Sequence, residues 1–170
     1  ITLVDMRESA TEVAPRIYLE AAQVRLNVNG SDIANTGANV LNNNVWYHLV
    51  IQRTGTDVKI ISNGTEIGTG TDSSNYTANK PIRIGSDWQG LNSLAGWIDE
   101  FRYSRLARYA TVPFTSPNGI WQGDSDTKLL VHFDGVDAQV WTEDWSGVES
   151  FTSGEFFNND AILELSLIHI

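Results

Sequence analysis

Trp46-Tyr-His-Leu-Val-Ile-Gln-Arg53, Thr54-Gly-Thr56, Asp57-Val-Lys-Ile-Ile-Ser62 and Asn63-Gly64 follow one another without interruption. The two longer pieces are rich in aromatic and β-branched side chains, which suit a pleated, half-buried surface. Asn-Gly after such a run is a strong hairpin signal, because both residues tolerate the positive φ of a type I′ turn. The same signal continues in Pro81-Ile-Arg-Ile-Gly85 and Gly96-Trp-Ile-Asp-Glu-Phe-Arg-Tyr103. Working back towards the start, Gln23-Val-Arg-Leu-Asn-Val28 alternates polar and apolar with period two, as a half-buried strand does. Asn29-Gly30 is a second tight turn, and Ile1 to Asp5 and Arg16 to Glu20 read as strands joined through a loop carrying Pro15. Ile33 to Leu41 is a polar connector with one further strand at most, and Asn42-Asn-Asn44 is a loop. Arg105-Leu-Ala-Arg-Tyr109 is expected to form a helical turn ended by Pro113 and Pro117. The pattern predicts an all-β fold, two antiparallel sheets stacked as a jelly-roll sandwich.

Composition agrees. Gly, Ser, Thr and Asn make up about a third of the 170 residues, which favours short strands joined by polar turns. Cysteine is absent, which excludes a disulfide framework and a thiolate metal site. A formal net charge of −10 disfavours general binding to nucleic acid or to an anionic membrane surface. No apolar run reaches the length of about 20 residues that a membrane-inserted helix needs.

The order of these pieces carries a family likeness. Trp46-Tyr-His, Val58 to Asn63-Gly64, Ile82-Arg-Ile-Gly85 and Gly96-Trp-Ile-Asp-Glu-Phe-Arg102 resemble the laminin-G-like branch of the concanavalin A-like lectin and glucanase sandwiches. Leu106-Ala-Arg-Tyr109, Pro113-Phe-Thr-Ser-Pro117 and the run from Asp124 to Gly135 are similar to the variety common in bacteriophage structural (tail) proteins and environmental surface proteins. In that family Leu-Leu-Val-His-Phe-Asp-Gly opens a domain, and Asp144-Trp-Ser-Gly147 matches a later turn with Trp145 as a departure. The resemblance implies that residues 1–123 form a sandwich lacking its first strands. Residues 124–164 are then the start of a following repeat, or a strand that completes the sandwich edge and relieves its unpaired groups. Leu165-Ser-Leu-Ile-His-Ile170 resembles one reading frame of a transposon end used to prepare sequencing libraries, so residues 165–170 are expected to be foreign to the fold.

Because relatives of the implied fold include β-glucan hydrolases, acidic pairs matter. Glycosidases hold two carboxyl groups about 5 to 9.5 Å apart across one cleft. Asp99 and Glu100 are adjacent, and successive strand side chains point to opposite faces. One is expected to be buried or to cap an edge by accepting backbone N–H groups, the other to be solvated. His48 and His132 read as strand residues satisfied locally. There is no Gly-x-Ser-x-Gly elbow, and Gly68-Thr-Gly70 lacks the helix a phosphate loop requires. The chain is therefore expected not to be an enzyme.

Residues 68–79 contain little that could fill a core and read as a long loop, and residues 87–93 as a second one. Sugar recognition wants an aromatic platform with amide and carboxylate groups for the hydroxyls. Asp72, Asn75, Tyr76, Asp87, Trp88, Gln89 and Asn92 offer that set, with Trp88 the best single candidate. The alternative is that Trp88 packs as a lid over the sandwich end. Laminin-G-like domains often carry Ca²⁺ near the ligand rim, and Asp72, Asp87, Asp124 and Asp126 would supply its oxygens, unless they are simply solvated. Asn29-Gly-Ser31, Asn63-Gly-Thr65 and Asn75-Tyr-Thr77 fit the N-glycosylation pattern, the first two being better explained as turns. The expected function is a non-catalytic recognition module for a glycan, on a virion or extracellular surface protein. The alternative partners are neighbouring virion subunits, in an architectural repeat.

Overall fold

The computed structural model describes residues 1–38, 40–77, 79–133 and, as backbone, 162–169. The strands are β1 (Thr2–Asp5), β2 (Arg16–Glu20), β3 (Gln23–Val28), β4 (Ser31–Thr36), β5 (Trp46–Thr54), β6 (Asp57–Ser62), β7 (Thr65–Thr71), β8 (Arg83–Ile84), β9 (Trp97–Ile98), β10 (Phe101–Ser104), β11 (Thr127–Val131) and β12 (Ile162–His169). They pair antiparallel in the order β11-β10-β12-β5-β6-β7-β4-β3-β2-β1-β8, with β9 also beside β12. There is no helix among the described residues. The sheet curls back on itself to enclose one core. Leu3, Ile17 and Leu26 of β1–β3 pack in the same cluster as Leu49, Ile51 and Ile60 of β5–β6 and Phe101 and Tyr103 of β10. The fold is the all-β sandwich expected.

The turns follow residue chemistry. Asn29 and Gly30 have φ of 51° and 76°, and Asn63 and Gly64 have 48° and 76°, which are the positive values that join β3 to β4 and β6 to β7. Ala21 and Ala22 join β2 to β3 with φ of 50° and 57°, without the residue types that favour such a turn. Gly68 and Gly70 serve a different purpose. β7 crosses β4 so closely that a Cβ on Gly70 would lie 2.0 Å from the Ile33 carbonyl oxygen and one on Gly68 2.5 Å from that of Asn35.

β5 is buried on both sides. Tyr47, Leu49 and Ile51 face the main core, while Val50 and Ile61 of β6 pack outward against Ala107, Tyr109, Val112 and Phe114. Residues 105–121 thus form a strap over the outer face of β5 and β6. The helical turn expected at 105–109 does not form. The Tyr109 backbone bonds to the Gln52 side chain instead, its carbonyl accepting from Nε2 at 2.9 Å and its N–H donating to Oε1 at 3.4 Å.

Two further boundaries differ from expectation. β7 continues to Thr71, so the loop begins at Asp72 rather than Gly68. The run from Trp97 to Ser104 is broken at Asp99 and Glu100, because Glu100 adopts φ of 52°. The alternation expected to set those two carboxylates on opposite faces is interrupted there.

β11 pairs with β10, Leu129 opposite Tyr103. β12, which includes residues 165–169, runs between β10 and β5, with Leu165 opposite both Phe101 and Leu49. The Asp144 to Gly147 turn lies outside the described residues.

Candidate functional site

The loop after β7 folds inward. Asp72 is 2% exposed and forms an ion pair with Arg53 of β5, Nη1 to Oδ2 at 2.7 Å. The Tyr76 hydroxyl donates to Oδ2 at 2.5 Å, and the Ser74 N–H donates to Oδ1 at 2.9 Å. The Arg53 guanidinium also lies over the Tyr76 ring, 4.8 Å from its centroid. Burial raises the Tyr76 hydroxyl well above its usual range, with the Asp72 carboxylate adding to the effect. Arg53 and Tyr76 line a cavity of about 20 Å³ with Leu26 and Tyr103, room for one water. Asp72 and Tyr76 therefore anchor the loop, while Asn75 is left exposed on it.

The loop at 87–92 is built around a carboxylate. Asp87 is 4% exposed; Oδ1 accepts from the backbone N–H of Gln89 (3.1 Å) and Leu91 (2.8 Å), and Oδ2 from Asn92 Nδ2 (2.6 Å). Burial pushes the Asp87 carboxyl up. The Asn92 amide, those two N–H groups and nearby Arg16 outweigh it, so Asp87 titrates below the ordinary value. Trp88 is held from the other side through its backbone, its main-chain N–H donating to Asp5 Oδ2 at 3.2 Å. Asp5 is itself fully buried and fixed by Arg7, which donates Nε to Oδ1 and Nη2 to Oδ2, both at 2.9 Å. The result is a rigid loop with Trp88 partly exposed and Gln89 and Asn92 exposed. The two loops are anchored separately, one on Arg53 of β5 and the other on Asp5 of β1.

Of the four aspartates considered for Ca²⁺, Asp72 and Asp87 lie in separate networks, while Asp124 and Asp126 share one turn in which the Asp126 backbone N–H donates to Asp124 Oδ1 at 3.0 Å. Asp124 binds Arg108, Nη1 to Oδ2 at 2.7 Å, which holds its carboxyl far below the usual range. Asp126 binds Arg105 Nε at 2.8 Å. Among the described residues no three His, Asp or Glu side chains converge as a metal site would require.

Glu100 is the buried carboxylate of the Asp99–Glu100 pair. Its Oε2 accepts from the Trp121 backbone N–H at 3.2 Å, and His132 Nδ1 lies 2.8 Å from each oxygen. Asp99 Oδ1 accepts from the Glu100 N–H at 2.9 Å. His48 differs from expectation. Its Nδ1 is 3.3 Å from Ser116 Oγ, but Nε2 is buried without a hydrogen-bond partner. The strap closes over it, and that long-range contact leaves no trace in the residues around position 48.

Two surface features were not singled out in the sequence. Trp46 and Trp97 are 43% and 63% exposed, and each sits opposite His169 in the backbone register. The solvent face of β2–β4 carries a polar network centred on Asp32, whose legible signal is the alternation that sets Gln23, Arg25 and Asn27 on one side of β3.

The chain matches the laminin G family model described as the concanavalin A-like lectin/glucanases superfamily over residues 3–111. No curated protein and no solved structure matches it. The matched span runs from β1 through β10 into the strap and contains both candidate loops, and the chain belongs to the concanavalin A-like lectin/glucanase superfamily.

Proposed function

We propose that this chain is a non-catalytic recognition module that binds carbohydrate through the 87–92 loop, carried on a virion or secreted surface protein. The observation that carries this reading is the Asp87 cradle. Three donors on Asp87 and the bond from the Trp88 backbone N–H to Asp5 fix the backbone of the loop that presents Trp88, Gln89 and Asn92 before any ligand arrives. A prearranged loop loses little freedom on binding, which favours affinity. Membership of a superfamily of lectins and glucanases is in keeping with a carbohydrate ligand. The non-catalytic part is supported by Glu100, whose oxygens already serve Trp121 N–H and His132. Calcium has no part in this reading, because Asp72, Asp87, Asp124 and Asp126 are each engaged by protein donors.

A glycan array tests it. Saturable binding that falls at least about tenfold in Trp88→Ala is expected. An array without binding, or binding indifferent to that substitution, would contradict the proposal.

A second reading, an architectural repeat contacting neighbouring subunits, is favoured by the exposed apolar groups. Leu91, at 58%, sits in the same loop as Trp88, and Ile120 is 68% exposed. An assembled particle in which Leu91 and Trp88 are buried against another subunit would favour it.

A further inference from the structure

The outward face of β2–β4 is organised around one carboxylate. Asp32 accepts from the Tyr18 hydroxyl at 2.9 Å, from Arg25 Nη1 at 3.0 Å and from Asn27 Nδ2 at 2.8 Å. Strand register explains the convergence, since Tyr18 is opposite Arg25 across β2 and β3, and Asn27 is opposite Asp32 across β3 and β4. The Arg16 guanidinium lies over the Tyr18 ring at 4.5 Å and donates to Thr2 Oγ1 at 2.8 Å.

Two polar atoms in this otherwise bonded network are left over. Arg25 Nε and Asn27 Oδ1 are both buried without a hydrogen-bond partner, and Asn27 is only 9% exposed. The Asn27 amide orientation is fixed, because its nitrogen serves Asp32, so the oxygen is the unused atom. One orphan is a donor and the other an acceptor, on the same face of one strand at alternate positions. Both atoms are covered as the chain stands, and a shift of the Arg25 side chain would uncover them to a hydroxyl group, the simplest group that accepts and donates at once. Charge argues the same way: Arg16 and Arg25 stand against Glu20 and Asp32, so the face offers no net attraction to an ion. Glu20, which pairs with Arg25, has a side chain 59% exposed. A surface pair of this kind contributes little, so the Arg25 side chain can leave Glu20 at small cost, its bonds to Asp32 and Gln23 re-forming around the ligand.

This face also adjoins the proposed loop. The Thr2 N–H donates to the Asn92 carbonyl at 2.7 Å, and Thr2 is opposite Tyr18 across β1 and β2. We propose that the Tyr18–Arg25–Asn27–Asp32 face is a second part of the binding site and takes hydroxyl groups of a neutral oligosaccharide whose other end rests on the 87–92 loop. The inference rests on the recognition reading and deepens it. From β1 to β3 is two interstrand spacings, roughly 10 Å, so the ligand is longer than a single sugar ring.

Isothermal titration with neutral gluco-, manno-, galacto- and xylo-oligosaccharides of increasing length tests the inference. The variants are Tyr18→Phe, Arg25→Gln and Trp88→Ala, each with its melting temperature measured. The expected result is a trisaccharide bound at least about tenfold more tightly than its monosaccharide. Arg25→Gln and Tyr18→Phe should each weaken the trisaccharide about fivefold or more while leaving the monosaccharide unchanged. Trisaccharide binding unaffected by both variants but lost in Trp88→Ala would overturn this inference and leave the recognition reading standing. Failure of every sugar to bind the unaltered protein would overturn both.

Discussion

The His48 ring sits edge-on to Tyr109, Phe114 and Trp121, at centroid distances of 6.1, 6.0 and 5.8 Å. Burial among these rings, with the Arg102 charge adding to it, lowers its pKa from 6.5 to about 4. A histidine lowered in this way is neutral in the folded protein while the unfolded chain takes up a proton. Its contribution is therefore complete above pH 6.5 and is lost as pH falls towards 4. The lost stability is roughly 3 kcal/mol. Urea unfolding across that range should show the decline, and His48→Gln should flatten it; equal slopes in the two proteins would contradict the assignment. Ala22, at φ of 57°, holds a conformation that disfavours a side chain. Ala22→Gly is expected to stabilise by about 1 kcal/mol, measured in the same assay. These two residues also mark what local reading reaches. The Asn-Gly turns announce themselves by residue type, whereas the Ala21-Ala22 turn does not and is imposed by the register of β2 on β3.

At the scale of elements, the contact between β4 and β7 depends on glycine. A Cβ at position 70 would meet backbone at 2.0 Å from the Ile33 oxygen, and only a shift of one strand relieves it. Gly70→Ala should cost about 2 kcal/mol, whereas Gly37→Ala, where an added Cβ meets nothing within 4 Å, should be near neutral. Calorimetry of the two variants checks the contrast. The loop after β7 depends instead on the Arg53–Asp72 pair, whose side chains are 7% and 1% exposed. Asp72→Ala removes the carboxylate that serves Arg53, Tyr76 and Ser74 and is expected to lower stability by about 3 kcal/mol, while Arg53→Met with Asp72→Leu should recover only part of it, because the Tyr76 hydroxyl and Ser74 N–H stay without their acceptor. The strands themselves were largely legible, because their signal is alternation within a few residues. The strap over β5 was not, since its residues carry Pro and aromatic groups in no periodic pattern and fold by contacts with Gln52 and His48 more than fifty positions away.

For the whole molecule, the superfamily was readable from the order of its strands, and the loop at 87–93 was placed between them, while the loop expected from 68 begins only at Asp72 because β7 runs on to Thr71. The roles inside the loops were not. Asp72 and Asp87 look like ligand groups in a polar sequence, but burial has turned each inward to hold its own loop. The groups left facing solvent are Asn75, Gln89 and Asn92, with Trp88 partly so. The Asp32 network lies on a strand face, where residues far apart in the chain become neighbours only through pairing. The most direct measurement is a set of amide and indole nitrogen–proton correlation spectra of the intact chain, recorded with and without a neutral trisaccharide panel. The expected result is shifts confined to residues 87–92, the Trp88 indole and the outer face of β2 and β3. Shifts centred on Trp46 and Trp97 instead, or spectra unchanged by every sugar, would contradict carbohydrate recognition by this face.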